Sequence, residues 1–425
     1  MSEDKPVRNK ALPWEFPGAL WIDEEEQRLV DDVIKAHSPF RYYGPDLQNM
    51  VDKLEAKFCQ KIGIEYALGV NSGTAALHIG MAAFGVGPGD EVLVPGYLWV
   101  SCLSAIVRLG AIPVLVDIDQ TFCMDPNDLE RKISPRSKAI MCVHMSGASG
   151  YINKIAAIAE KNNLYLLEDC AQAAGGYYNG KPLGSFGDLA IFSFQLNKNM
   201  TSGEGGMIVC KKKSLYQRCF AIHDLGYPRN ESGRLNTSNE EFQLWGIGSR
   251  MSELTAAFAL AQLGKLDKIT ESMRSSKWRI REALSGINGL TFRKIPDPQG
   301  DTGPFLISIY PDKESCRAFT QELHNLGIKG QPGGLACITM REWGLHWYFN
   351  NISLVKKKSL CQDGFPWSHP KNKFAQKIHY EHGTLPICDE LHDKAALLTI
   401  ASRLTIEDCE QIVSAFKIAA KRVLK

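Results

Sequence analysis

The sequence predicts an α/β protein with a largely parallel sheet and a second, smaller domain. Three observations carry this reading. Short β-rich apolar runs alternate with stretches of helical spacing up to about residue 210, the pattern of a sheet buried on both faces. Polar residues able to do chemistry fall just after those runs, where open α/β sheets bind ligands. The 425 residues also exceed the ~250–300 that a single core normally supports.

Taken in order, 1–23 reads as an irregular arm and 24–36 as a short helix. Segment 38–45, SPFRYYGP, sets two prolines and a glycine around aromatics. This is loop chemistry, and it offers Arg41 and Tyr42 as ligand contacts. Met50, Leu54 and Phe58 give 46–62 helical spacing. Strands are expected at 91–94, 112–116, 138–144, 164–167, 189–194 and 207–210, with helices at 100–109 and 152–161. A long apolar helix at 251–269, carrying Leu254, Phe258, Leu260, Leu263 and Leu266, leads out of the large domain. A strand at 305–310 and a helix at 313–326 follow. The stretch 331–385 is expected to be irregular, and a loop-rich segment of that length is functional or mobile. A final helix starts at Thr405, with Asp408 in a capping-box position.

Composition narrows the function classes. Charged residues (23%) and hydrophobic residues (44%) are ordinary for a globular protein. A net charge of +2 gives no push toward nucleic acid or a membrane surface. No run of ~18 apolar residues could span a bilayer, and the first residues lack an apolar signal core, so a cytoplasmic protein is expected. The 12 cysteines include no Cys-x-x-Cys pair. Several, such as Cys142, Cys170 and Cys210, sit in apolar runs, which fits free buried thiols and no metal site.

The chemistry centres on 189–209, LAIFSFQLNKNMTSGEGGMIV. An apolar run ends in polar residues and one lysine, Lys198, before the turn Gly203-Glu204-Gly205-Gly206. A lysine at the end of a buried strand is partly desolvated, and desolvation disfavours its charged form. An amine able to lose its proton suits Schiff-base chemistry; the alternative is one loop lysine among many. Asn71-Ser72-Gly73-Thr74 precedes a helix running to about residue 84, which makes either an anion site or an ordinary N-cap. Asp169 closes an apolar strand, where a carboxylate needs a partner: a ligand cation, a helix cap or an ion pair. Trp99, after PGYL, lies flat on a ligand ring or packs in the core. Together, the anion cradle, strand-end carboxylate, aromatic plate and lysine are the parts required by pyridoxal 5′-phosphate.

In order along the chain, NSGTAAL (71–77), VPGYLWVS (94–101), LEDCAQA (167–173), FSFQLNKNMTSGEGG (192–206) and SRMSELTAAFALAQL (249–263) resemble the DegT/DnrJ/StrS family of sugar aminotransferases. The resemblance covers roughly residues 20–425. It implies the aspartate-aminotransferase fold (PLP fold type I), with a mostly parallel mixed sheet in the large domain and a smaller α+β C-terminal domain. It divides the chain into 1–45 (N-terminal arm and active-site loop), 46–272 (large, cofactor-binding) and 273–425 (small). Lys198 is implied as the Schiff-base lysine and proton carrier, and Asp169 as the partner of the ring nitrogen. Gln172 is implied on the ring hydroxyl, Gly73, Thr74 and Ser193 on the phosphate, and Trp99 on the ring face. The family is typically a homodimer with active sites at the interface. Where the family commonly has a cross-subunit asparagine for the phosphate, this chain has Gly248, with Ser249 next to it.

FRYYGP (40–45), VHMSGA (143–148) and FRKIPDPQGDTG (292–303) are similar to members that aminate the 8-keto carbon of an octulosonate. The resemblance therefore implies amino transfer from glutamate, or glutamine, to a keto sugar or keto sugar acid, with Arg41, Tyr42, Trp343, His346 and Trp347 as acceptor contacts. Two other readings are a sugar dehydratase on the same fold, which often carries histidine at the lysine position, and a non-catalytic cofactor-binding regulator.

Overall fold

The computed structural model describes residues 6–238 and 240–424; residues 1–5 of the expected N-terminal arm lie outside the described residues. Helices α1 (Glu24–Lys35) and α2 (Met50–Ile62) precede β1 (Tyr66–Val70), α3 (Gly73–Ala83) and β2 (Glu91–Pro95). Then come α4 (Val100–Arg108), β3 (Ile112–Val116), α5 (Pro126–Lys132), β4 (Ser137–Val143), α6 (Ile152–Lys161) and β5 (Tyr165–Asp169). A small hairpin, β6 (Tyr177–Tyr178) and β7 (Lys181–Pro182), leads to β8 (Leu189–Ser193), β9 (Gly206–Cys210), α7 (Lys213–His223) and α8 (Glu253–Ala283). The rest holds β10 (Thr291–Phe292), β11 (Phe305–Ile309), α9 (Lys313–Asn325) and β12 (Cys337–Thr339). It ends with α10 (Ile352–Val355), α11 (Pro386–Lys394), β13 (Ala395–Thr399) and α12 (Ile406–Val423).

The main sheet has the order β1-β9-β8-β5-β4-β2-β3. Its strands run parallel except β9, which pairs antiparallel with both β1 and β8. The sheet is buried on both faces. Along β8, Leu189 and Ile191 join the core beneath α3, α4 and α7, while Ala190 and Phe192 join the core beneath α2, α6 and the start of α8. Both faces being apolar explains why the strands read as continuous apolar runs. The second sheet, β10-β11-β13-β12, is antiparallel throughout and packs Leu306 and Leu398 against Phe319 and Phe416 of α9 and α12.

Several elements depart from the sequence reading. Strands occur at 66–70 and 395–399, where the reading had none; YALGV and AALLT contain the glycine and alanines that weaken a β signal. The helix expected at 251–269 continues to Ala283. Its later residues look polar, yet Ile269, Met273 and Ile280 are fully buried and carry the apolar face onto the second core. The stretch 331–385 contributes an edge strand, β12, and a run of short 3-10 turns. The final helix begins as expected, with a Thr405–Asp408 capping box. Among the described residues, no helix is long and apolar enough to cross a membrane.

Candidate active site

The C-terminal ends of the parallel strands open into a cavity of about 480 Å³. Its floor is built where β8 and β9 meet the start of α3. Ser72 caps α3, its hydroxyl accepting the Ala75 N–H at 3.1 Å. The N–H groups of Gly73 and Thr74, in the first turn, have no carbonyl of their own helix to meet. The cap therefore leaves these two donors free and does not use them up. Both glycines of this floor are needed for closeness. A Cβ on Gly73 would lie 2.7 Å from Ser193 Cβ, and one on Gly206 would lie 2.8 Å from the Ser72 carbonyl carbon and oxygen. Because the second clash is with backbone, Gly206→Ala is expected to destabilise the fold by about 1–3 kcal/mol. It should also loosen cofactor retention, as measured by calorimetric melting and by dialysis.

Lys198 stands in the turn that follows β8, its N–H donating to Gln195 O at 3.0 Å and its carbonyl accepting from Gly18 N–H at 3.3 Å. The return of the chain is fixed by Phe194 N–H to Gly205 O (2.9 Å) and Ser202 N–H to Phe194 O (2.8 Å). Burial lowers the Lys198 pKa, with Asp169 and Glu204 acting in the opposite sense. Facing it at the end of β5, Asp169 is 3% exposed. Burial raises its pKa, and the Ala171 N–H on Oδ1 (2.9 Å) and the Cys102 thiol on Oδ2 (3.2 Å) act against that rise. Gln172 Oε1 accepts the Ser146 N–H at 2.7 Å, which leaves its amide nitrogen free to donate. Trp99 is 42% exposed, whereas its neighbours Tyr97 and Leu98 are fully buried; it lines the cavity and is not core.

Sequence-predicted residues Gly73, Thr74, Trp99, Asp169, Gln172, Ser193, Lys198, Trp343 and His346 all line this one cavity. His346 stacks on Trp343 (4.2 Å between centroids, 7° between planes) and leans on Trp99 at 4.8 Å. Arg41, Tyr42 and Trp347 do not line it. Arg41 is buried and pairs with Glu55 (3.0 Å) and Asp52 (3.4 Å). The Tyr42 hydroxyl meets His223 Nε2 at 3.1 Å, under the Arg229 guanidinium. Trp347 is fully buried against Tyr97 and donates Nε1–H to Met340 O at 2.9 Å. Gly248 has φ +65, with open space where a Cβ would point. Ser249 is buried and bonded through its backbone to His223 and Asn71.

Sequence reasoning missed several residues. The Ser101 hydroxyl lies 2.9 Å from that of Thr74, and Gln195, Asn197 and Glu204 also line the cavity. All four lie inside the motifs 94–101 and 192–206, but nothing in their spacing says which polar residue of a motif turns into the cavity. Behind Asp169, His144 Nε2 meets Glu168 at 2.9 Å. Glu168 also accepts the N–H groups of Gly184 (3.0 Å), Phe186 (2.7 Å) and Gly187 (2.7 Å). That carboxylate is thus structural, spent on holding the loop before β8.

Burial pushes His346 down from 6.5 to about 4 and His223 down to about 3. Each is neutral in the fold and protonates more readily unfolded. Their contribution is therefore fully present above pH 6.5 and is lost as pH falls toward 4 and then 3. Melting temperature should drop across that window, and His346→Gln should roughly halve the slope between 6.5 and 4, leaving the part that His223 contributes.

The residues present fit pyridoxal phosphate. The first turn of α3 offers free N–H donors beside a floor too close-packed for a Cβ at Gly73 or Gly206, a buried carboxylate lines the cavity, and so does a desolvated lysine. Fold and site thus define a cofactor-dependent protein of PLP fold type I. The chain belongs to the DegT/DnrJ/EryC1/StrS aminotransferase family, whose pattern matches residues 21–333. It is 39% identical over 231 residues to a GDP-perosamine synthase from Escherichia coli O157:H7, covering 53% of this chain and 60% of that protein. It is 36% identical over 267 residues to the GDP-perosamine synthase of Vibrio cholerae, covering 63% and 70%. An aminotransferase from Psychrobacter cryohalolentis shares the fold at a TM-score of 0.79 and 23% identity, over 98% of this chain and all of the other.

Proposed function

We propose that this protein is a pyridoxal-phosphate-dependent aminotransferase that moves an amino group from glutamate, or glutamine, to a ketone on a sugar or sugar acid. The observation that carries it is Lys198, desolvated in the cavity opposite a buried Asp169. When bound, the cofactor supplies a carbonyl carbon that exchanges amino groups and a ring that withdraws electrons. Lys198 would hold the cofactor at that carbon and, as a desolvated amine, would accept and return the proton moved at the substrate carbon. Asp169 would pair with the ring nitrogen and favour its protonated form. The first-turn N–H groups of α3, with Thr74 and Ser193, hold the phosphate at a helix N-terminus. Trp99 would lie on the ring face, and Trp343 and His346 wall the acceptor side.

A dehydratase reading asks for histidine where Lys198 stands, and nothing in the cavity favours a non-catalytic regulator. For the acceptor, the octulosonate-like stretches support a keto-octulosonate, while the relatives' name supports a GDP-linked keto sugar. A homodimer is part of the proposal. Trp245 is 96% exposed, with Ile247 (45%) two residues on and Leu225 (50%) on the segment that the Leu244 N–H to Gly226 O bond (2.7 Å) brings alongside, an apolar surface of the kind a second copy covers. Division near residues 45 and 272, with α8 as the shared spine, and a cytoplasmic location complete the proposal.

The test is the visible spectrum of the purified protein. The cofactor band should bleach on adding glutamate and return on adding the keto acceptor, with keto-octulosonate and GDP-linked keto sugars tried side by side. A band indifferent to every amino donor would sink the reading.

A further inference from the structure

We propose that Cys102 is a positioning residue: its thiol donates to Asp169 Oδ2, holding that carboxylate anionic and aimed into the cavity. Its effect on turnover rests on the aminotransferase reading; the contact itself does not. Cys102 Sγ lies 3.2 Å from Oδ2, and Cys102 is fully buried. Oδ1 is already engaged by the Ala171 N–H at 2.9 Å. A donor on each oxygen prevents rotation of the carboxylate about its own axis. Burial raises the thiol pKa well above the ordinary value, so the group stays S–H and acts toward a carboxylate only as a donor.

A second observation points the same way. The turn that presents Cys102 also presents Ser101 to Thr74 at 2.9 Å and begins at Trp99, the residue before α4. The Cys102 N–H closes that turn on Trp99 O at 3.0 Å. One helix start therefore addresses the ring face, the phosphate cradle and the ring-nitrogen carboxylate together. Any shift of α4 moves all three.

The direction of the effect follows from proton sharing. A carboxylate without its second donor is more basic and draws the shared proton from the ring nitrogen. The S–H lowers that basicity and leaves the proton on the ring. Being a weak donor, it does so without neutralising the charge that the ring nitrogen needs.

The experiment compares wild type, Cys102→Ala and Cys102→Ser, each reconstituted with ring-15N-labelled pyridoxal phosphate. In Cys102→Ala the 15N resonance should move toward the unprotonated position. Its kcat should fall about tenfold with the donor KM little changed, and Cys102→Ser, which restores a donor, should recover most of both. An unchanged 15N resonance in a Cys102→Ala protein that melts and binds cofactor like wild type overturns the proposal. A cofactor-free arm tests the contact even if the protein is no aminotransferase. The infrared difference between wild type and Cys102→Ser isolates one S–H stretch. It should lie below the free-thiol position and rise in Asp169→Asn; a band already at the free-thiol position overturns the proposal.

Discussion

Lys198→Ala is expected to lower turnover by on the order of 10²–10⁴-fold, the usual worth of a positioned proton-transfer group, and more if covalent capture of the cofactor is also limiting. The cradle is built from Gly73, Thr74, Ser193 and Gly206, none of which depends on the lysine side chain. Cofactor should therefore remain bound, now releasable by dialysis, while its visible band changes. Small primary amines added from solution should restore part of the rate, because the cavity emptied by the side chain admits them. The pH profile supplies an independent check. Burial holds the Lys198 pKa below the ordinary 10.5, so more of the amine is neutral at a given pH than for a surface lysine. The acid limb of wild-type activity should accordingly lie below 10.5, and in the amine-rescued variant it should move to follow the pKa of the added amine. A Lys198→Ala protein with wild-type turnover would end the aminotransferase reading.

Much of this site was legible in the sequence because its parts are backbone-dictated. Glycine at 73 and 206 is demanded by close approach, a lysine must follow a strand, and an aspartate must end one. Such requirements leave residue types at set distances along the chain. The acceptor side was less legible. Trp343 and His346 reach the cavity, but Trp347, one residue on, turns into the core against Tyr97. In a run of short 3-10 turns, no period says which aromatic faces which way. Arg41 and Tyr42 lie in a loop whose aromatics suggested ligand contact. Yet Asp52 and Glu55 on the following helix claim Arg41, and His223, 181 residues on, claims Tyr42. Long-range pairing of this kind leaves no local signal. The same holds for Cys102, whose importance comes from where β5 ends, 67 residues away.

Asp169→Asn separates function from stability most sharply. The carboxylate is 3% exposed and burial raises its pKa, so in the cofactor-free protein its charge costs free energy. An amide of the same shape avoids that cost, and the Ala171 N–H can still bond the amide oxygen. The cofactor-free variant should therefore melt no lower than wild type. The loaded variant should behave in the opposite way. An amide cannot form an ion pair with a protonated ring nitrogen, and breaking a buried charge pair is worth about 3–5 kcal/mol, or about two to four orders of magnitude in rate. Losing the anion also removes the interaction that raises the Lys198 pKa, so the acid limb of the residual activity should move to lower pH. Turnover, the pH profile and cofactor-free melting measured on one preparation check all three. If Asp169→Asn lost stability without cofactor and kept its rate with it, Asp169 would be a structural cap and not the ring's partner.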